Sequence, residues 1–211
     1  MHVELIDRLR CIAAHEDSWL VAAVTETVDR SIIAGVLGCP VCGAEYPVTD
    51  GEVWYSSSRA TAAAEDADLA ARRDADDETR LAALIGVDER GGLYALQGAE
   101  GRFAGALEQV ESVQLILIDP PVGALAPAII RGAGERIPLA TGSLRGIALE
   151  SAAEVMLEAA ARALAPRGRL VAPADAPVPA GITVLVRDTR QWVGEAGARS
   201  SPPVTLRRSP N

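Results

Sequence analysis

The stretch SIIAGVLGCPVCGAEYPVTDGEVWY, Ser31 to Tyr55, is the segment whose residue types and spacings converge on one chemical job. Cys39 and Cys42 flank Pro40 and Val41 directly after an apolar run, and Gly43 follows. A Cys-x2-Cys turn presents two thiolates to one cation, and a glycine beside it lets backbone amides approach the sulfurs. One pair makes half of a tetrahedral site, so the other ligands come from elsewhere in the chain. Upstream, Leu5, Ile6 and Leu9 fall at helical spacing within Val3 to Arg10, which predicts a short amphipathic helix leading to Cys11 and then His15. Trp19 to Val24 and Ile32 to Leu37 read as strands. Two knuckles joined by a hairpin would bring three sulfurs and one imidazole together, which is the layout of a zinc ribbon with Cys11, His15, Cys39 and Cys42 as ligands. Asp17 is the substitute if His15 stays at the surface. A redox role for the Cys pair would want a preceding βαβ pattern, which this sequence lacks.

Composition narrows the function class. The chain has 211 residues, enough for one medium domain or a small module plus a domain. A formal charge of -9 argues against a nonspecific hold on nucleic acid, and against an acidic membrane surface for the same reason. Every basic residue is Arg and aromatics are 3%, which reads as coding bias rather than function. No apolar run is long enough to span a bilayer, and Glu4, Asp7 and Arg8 interrupt the N-terminus, so a cytoplasmic protein is expected. With three cysteines, metal binding or burial is expected rather than a disulfide framework.

Beyond Tyr55 the pattern changes. Residues 56–78 read as a solvated linker entering a helix that continues through Leu81, Leu84 and Ile85. From Gly91 strands and helices alternate: strands at Leu93 to Gln97, Val113 to Asp119, Ala128 to Ile130, Gly146 to Glu150, Arg169 to Ala172 and Ile182 to Asp188, with helices at Phe103 to Val110 and Ala152 to Leu164. Such alternation predicts an α/β fold with a doubly wound, largely parallel, Rossmann-like sheet. The expected organisation is a ribbon-like β module over 1–55, a linker over 56–78, the α/β domain over 79–194 and a disordered tail over 195–211, rich in Ser, Pro and Arg.

Two resemblances follow from particular residues. Ile33, Gly35, Leu37, Cys39, Pro40, Cys42, Gly43, Tyr46, Pro47, Asp50 and Gly51 match the second half of the small zinc-ribbon proteins that activate tRNA and protein methyltransferases. This likeness covers the first quarter of the chain and implies bound zinc and a role in protein contacts, with a methyltransferase or its substrate as partner. The first knuckle departs from that family, having Cys11-Ile-Ala-Ala-His15 where a second Cys pair often stands. The segments LAALIGVDERGGLYALQG, GAGERIPLATGSLRGIALE and AARALAPRGRLVAP are similar to a class I S-adenosylmethionine-dependent methyltransferase domain.

That second resemblance implies cofactor contacts at Gly98 and Gly101, the glycine loop after the first strand, and at Asp119, the carboxylate ending the second strand that would hold the ribose hydroxyls. Other family positions are altered: Gln97 precedes the loop, Ala133 stands at the adenine-side Asp, and Arg145 replaces the Asp opening the fourth strand. Asp119-Pro120-Pro121-Val122 resembles the D-P-P-Y motif of amino-group methyltransferases, but it follows the wrong strand and lacks the aromatic residue. Glu150 is the better candidate for a carboxylate facing the cleft. His2 and His15 are the only histidines and Lys is absent, so neither a Ser/His/Asp triad nor a phosphate loop is assembled. The leading expectation is a methyltransferase-like pseudoenzyme with a fused activator ribbon, acting through protein contacts. The alternative is an active methyltransferase carrying its activator in cis.

Overall fold

Period-two alternation sorts the strands of the chain's second half onto two apolar faces. In β5 (Gly92–Gln97), Leu93 and Ala95 join one buried cluster while Tyr94 and Leu96 join another. In β6 (Val113–Ile118), Ile116 and Ile118 lie with the first, Leu115 and Leu117 with the second. Strands buried on both faces need cover on both. In this computed structural model, which describes residues 1–56, 75–88 and 90–198, one face is covered by α1 (Ala75–Leu84) through Leu81 and α2 (Ala104–Glu108) through Leu107, with Ile85 and Phe103 flanking them. The other is covered by α3 (Glu154–Ala163) through Met156, Leu157 and Ala160, together with Leu5, Leu9, Ile137 and Leu139.

The remaining strands are β1 (Val21–Val28), β2 (Ser31–Gly38), β3 (Glu45–Thr49), β4 (Glu52–Trp54), β7 (Ala128–Arg131), β8 (Leu144–Ala148), β9 (Leu164–Pro173), β10 (Ile182–Arg187) and β11 (Gln191–Ala196). They form one mixed eleven-stranded sheet in the order β1-β2-β3-β4-β7-β6-β5-β8-β9-β11-β10. The pairs among β7, β6, β5, β8 and β9 are parallel, while β9, β11 and β10 pair antiparallel. Strand order reverses at β5, which pairs with β6 on one side and β8 on the other, so the carboxyl ends of β5 and β8 flank a topological switch point. β1 to β4 form an antiparallel meander whose last strand joins β7 in parallel, Val53 opposite Ile130. Arg131 reinforces this seam from the α/β side, its guanidinium lying 3.2 and 3.3 Å from the two Glu52 carboxylate oxygens.

Several local expectations change. Val3–Arg8 forms a 3-10 helix rather than an amphipathic α-helix to Arg10, because the chain turns extended at Leu9 to bridge Leu139. The first strand runs Val21–Val28, later than the expected Trp19 to Val24. The helix expected from Phe103 is preceded by a 3-10 helix, Gly98–Phe103, and ends at Glu108. The expected tail starts inside β11, where Trp192 is fully buried and donates its indole N–H to Ala176 O at 3.0 Å. Residues 57–74 of the expected linker and 199–211 of the expected tail lie outside the described residues. No helix among the described residues is long and apolar enough to cross a membrane.

Candidate metal centre and strand-end crevice

Two turns of backbone build the first site. Cys39 N–H donates to Ala44 O at 2.8 Å and Gly43 N–H returns to Cys39 O at 2.9 Å, with Gly43 at φ 71°, so the chain folds tightly around the Cys39 sulfur. Across from it, Cys11 N–H donates to Ser18 O at 3.0 Å, closing the loop that carries His15. The ligand atoms of Cys11, His15, Cys39 and Cys42 all lie within 4.8 Å of one another. Cys11 Sγ is 3.7 Å from Cys42 Sγ, and His15 Nε2 is 3.2 Å from Cys11 Sγ and 3.4 Å from Cys39 Sγ. Zinc bonds of about 2.3 Å to sulfur and 2.0–2.1 Å to nitrogen require tetrahedral edges of about 3.8 Å between sulfurs and about 3.6 Å from sulfur to nitrogen. These three edges are close to those values, and the donor set, three thiols and an imidazole, is one that holds zinc. His15 Nδ1 lies 2.6 Å from Glu16 O, an orienting contact of the kind that fixes a ligand's tautomer. Asp17 stands elsewhere, facing Arg10 at 3.6 Å and Arg162 at 3.8 Å.

Electrostatics within the cluster follow from crowding three sulfurs. Burial pushes the Cys39 thiol up, but the amides of Cys42 and Val41 and the neighbouring Cys42 and Cys11 side chains outweigh it, so it titrates at about 6. The Ala44 amide pulls Cys42 down, yet burial and the sulfurs of Cys39 and Cys11 leave it raised. His15 is raised by the Glu16 carbonyl first and by Cys11 second. The cluster therefore favours positive charge at its centre, which a cation supplies as it displaces the protons. Tyr46, one of the residues shared with the activator-type sequences, places its hydroxyl 3.0 Å from Cys11 Sγ, and its ring packs on Tyr55 at 4.4 Å. Tyr55 donates to Arg10 O at 3.0 Å. These two rings link the donor cluster to the β4–β7 seam, where Tyr55 N–H donates to Arg131 O at 2.8 Å.

The second site lies at the carboxyl ends of β5, β6 and β8. Gly98 sits at φ 61° at the end of β5, and a β-carbon there would stand 2.1 Å from Glu150 Oε2. That same carboxylate oxygen accepts the Ala99 N–H at 2.8 Å. A β-carbon on Gly101 would meet Pro120 Cβ at 2.9 Å. Gln97 is buried, and its Oε1 accepts the N–H groups of Glu150 at 3.1 Å and Ser151 at 3.3 Å. Side chains of this chain thus occupy the close approaches that both glycines leave open, and Gln97 fastens the end of β5 to the end of β8. Asp119 follows β6 at φ 46°, and its two oxygens accept the N–H groups of Gly132 and Gly134. Burial raises its carboxyl despite those amides. Ala133 is buried between them, and Val122 of the Asp-Pro-Pro-Val run is exposed. Gly98, Gly101 and Asp119 are therefore brought to one end of the sheet, while Arg145 opens β8 at the other end and pairs with Asp88 at 3.3 Å.

No family model matches the chain, and no curated protein does. Among solved structures, two of the antibiotic-resistance methyltransferase Kmr are similar over part of the fold. One aligns at TM-score 0.40 and 18% identity over 58% of this chain and 93% of that one. The other aligns at TM-score 0.39 and 17% identity over 56% and 93%. The pyocyanin biosynthetic protein PhzM aligns at TM-score 0.38 and 15% identity, covering 58% of this chain and 56% of that one.

Proposed function

We propose that this protein is a methyltransferase-like pseudoenzyme with an activator-type zinc ribbon fused in cis, and that it works through protein contacts rather than methyl transfer. The observation that carries the reading is the self-filled crevice: Glu150 on the Gly98 turn, Pro120 on Gly101, and Gln97 tying β5 to β8. Open parallel sheets bind ligands at the switch point outside the strand ends. S-adenosylmethionine would have to displace the Glu150–Ala99 hydrogen bond and the two bonds by which Gln97 holds the Glu150 and Ser151 amides before reaching the Gly98 turn. Each hydrogen bond surrendered costs on the order of 1 kcal/mol, so three weaken binding about a hundredfold or more. The three matching segments and the strand order support the methyltransferase-like part of the reading. The eleven residues matching the activator family, and a cluster with zinc-like edges, support the ribbon. The β4–β7 seam supports the in-cis arrangement, since it seats the ribbon on the α/β strands of the same chain.

Zinc, when bound, would supply a fixed charge and a cross-link between the knuckles. The chain's own residues hold the donors in place, Tyr46 at Cys11 and the Glu16 carbonyl at His15. A second reading, an active methyltransferase, is favoured by Asp119 alone, which keeps the expected carboxylate at the end of β6. Calorimetric titration with S-adenosylmethionine separates the two. No heat at millimolar ligand is the expected result. Micromolar binding abolished by Asp119→Ala would sink the pseudoenzyme reading.

A further inference from the structure

At the opposite end of the sheet from the crevice, four arginines of this acidic chain converge on one cavity. It has a volume of about 330 Å³, and Arg90, Arg145, Arg167 and Arg169 line it together with Asp88 and Glu195. Two glycines with positive φ make the convergence possible. A β-carbon on Gly86 would lie 3.0 Å from Arg169 Cδ, and one on Gly92 would lie 2.4 Å from Arg145 Cδ. Both arginine stems therefore lie flat across bare backbone, which sets where their guanidinium groups end. Arg169 is further held by a hydrogen bond from Nη1 to Ala83 O at 3.0 Å. Asp88 ties together Arg90, at 2.9 Å from Nε, and Arg145, at 3.3 Å. Arg167 lies inside β9 just before Gly168, where the pairing with β8 shifts register, at φ 64°, a left-handed conformation that disfavours any residue with a β-carbon. Among the described residues it makes no ion pair, and a strained backbone that presents an unengaged cation at a cavity is a pointer to function.

We propose that this cavity binds a small phosphate monoester as its dianion. Four guanidinium groups against two carboxylates leave two positive charges among the described lining residues, matching that ligand. Guanidinium forks pair bidentately with phosphate oxygens, which a cluster of lysines would not do in the same way. The volume admits an ester of sugar size. No aromatic ring lines the cavity among the described residues, so a base would have to compete with the phosphate for the guanidinium planes, and a sugar phosphate suits it better than a nucleotide. The site is independent of the crevice and of the metal cluster.

The test is titration of the full chain with inorganic phosphate, ribose 5-phosphate, adenosine monophosphate and uncharged ribose, followed by calorimetry and phosphorus NMR. Ribose 5-phosphate is expected to bind, to weaken with added salt, and to lose about tenfold or more in affinity with Arg167→Gly and with Arg90→Ser, since each removes charge-assisted bonds. Arg167→Gly also relieves the left-handed residue in β9, so its melting temperature should hold or rise, which separates lost binding from lost fold. Inorganic phosphate binding as tightly as the ester, with the same variant losses, would assign the site to free phosphate. Nucleotide binding tighter than the sugar phosphate, no binding of any phosphate, or affinity unchanged in both variants would overturn the proposal.

Discussion

Replacing Cys39 by serine tests the metal cluster at its most constrained member. Cys39 is buried, held by its own turn, and 3.4 Å from His15 Nε2, and among the described residues the cluster holds no fifth donor to substitute for its sulfur. The other donors would remain: Cys11 and Cys42 with sulfurs 3.7 Å apart, and His15. Structural zinc in small domains binds with about 10–16 kcal/mol of apparent free energy, and an even share among four ligands is about 3 kcal/mol, or roughly a hundredfold in affinity. Because the cluster joins the Cys11 loop to the Cys39 turn, the same loss should appear in stability. For a chain of this size about 3 kcal/mol corresponds to a melting-temperature drop on the order of 10 °C. Competition against a chromophoric chelator gives the affinity, elemental analysis of the purified protein gives the stoichiometry, and thermal melts with and without chelator give the coupling to fold. One zinc per wild-type chain and a much weakened site in Cys39→Ser are expected. Equal zinc content in the two proteins, or a wild-type melt indifferent to chelator with no metal bound, would refute the reasoning.

Acidification should release the metal. The Cys39 thiol is held at about 6, below its ordinary value, so the thiolate's contribution is complete above the unfolded thiol range and is lost as pH falls through about 6, where His15, raised, is also protonated; zinc retention against pH by elemental analysis checks this. Gly98→Ala should cost about 1–3 kcal/mol in chemical denaturation, combining the left-handed backbone with the collision against Glu150. Adding Glu150→Ala should recover the collision part and leave the backbone part, and additivity of the two substitutions would contradict the packed crevice. Trp192→Ala should destabilise by about 3–5 kcal/mol, because it empties a fully buried site and orphans Ala176 O, as urea unfolding would register.

What could be read from the sequence followed the range of the forces involved. β5, β6 and β8 were legible because two-sided burial writes nearly continuous apolar runs such as LYAL and VQLILI. The donor cluster was legible because thiols and imidazoles are scarce here and both knuckles are local in sequence. β11 was missed because Gln191, Gly194 and Glu195 dilute its apolar residues, and what makes it a strand is its antiparallel partner β9, from Glu195 opposite Arg169 to Gln191 opposite Pro173. The 3-10 helix at Gly98 depends on the close approach of Glu150, which no local pattern encodes. The crevice is likewise a product of distance along the chain: Gln97 and Glu150 are 53 residues apart, and neither alone signals closure. Asp119 could be placed at a strand end from its neighbours, but its capture by Gly132 and Gly134 could not.

The parallel seam between β4 and β7 also bears on the order in which the molecule assembles. The meander β1 to β4 is built from neighbouring hairpins, whereas the seam joins Val53 to Ile130. Closing a span of that length costs about 4 kcal/mol of chain entropy before any strand bond repays it. Local hairpins form in microseconds, so the meander can condense early while β4 waits with an open edge. During synthesis that edge stays unmated until β7 has emerged. A cation that locks the knuckles in this interval would hold a template ready for the α/β strands, giving the metal cluster a role in folding as well as in the finished structure.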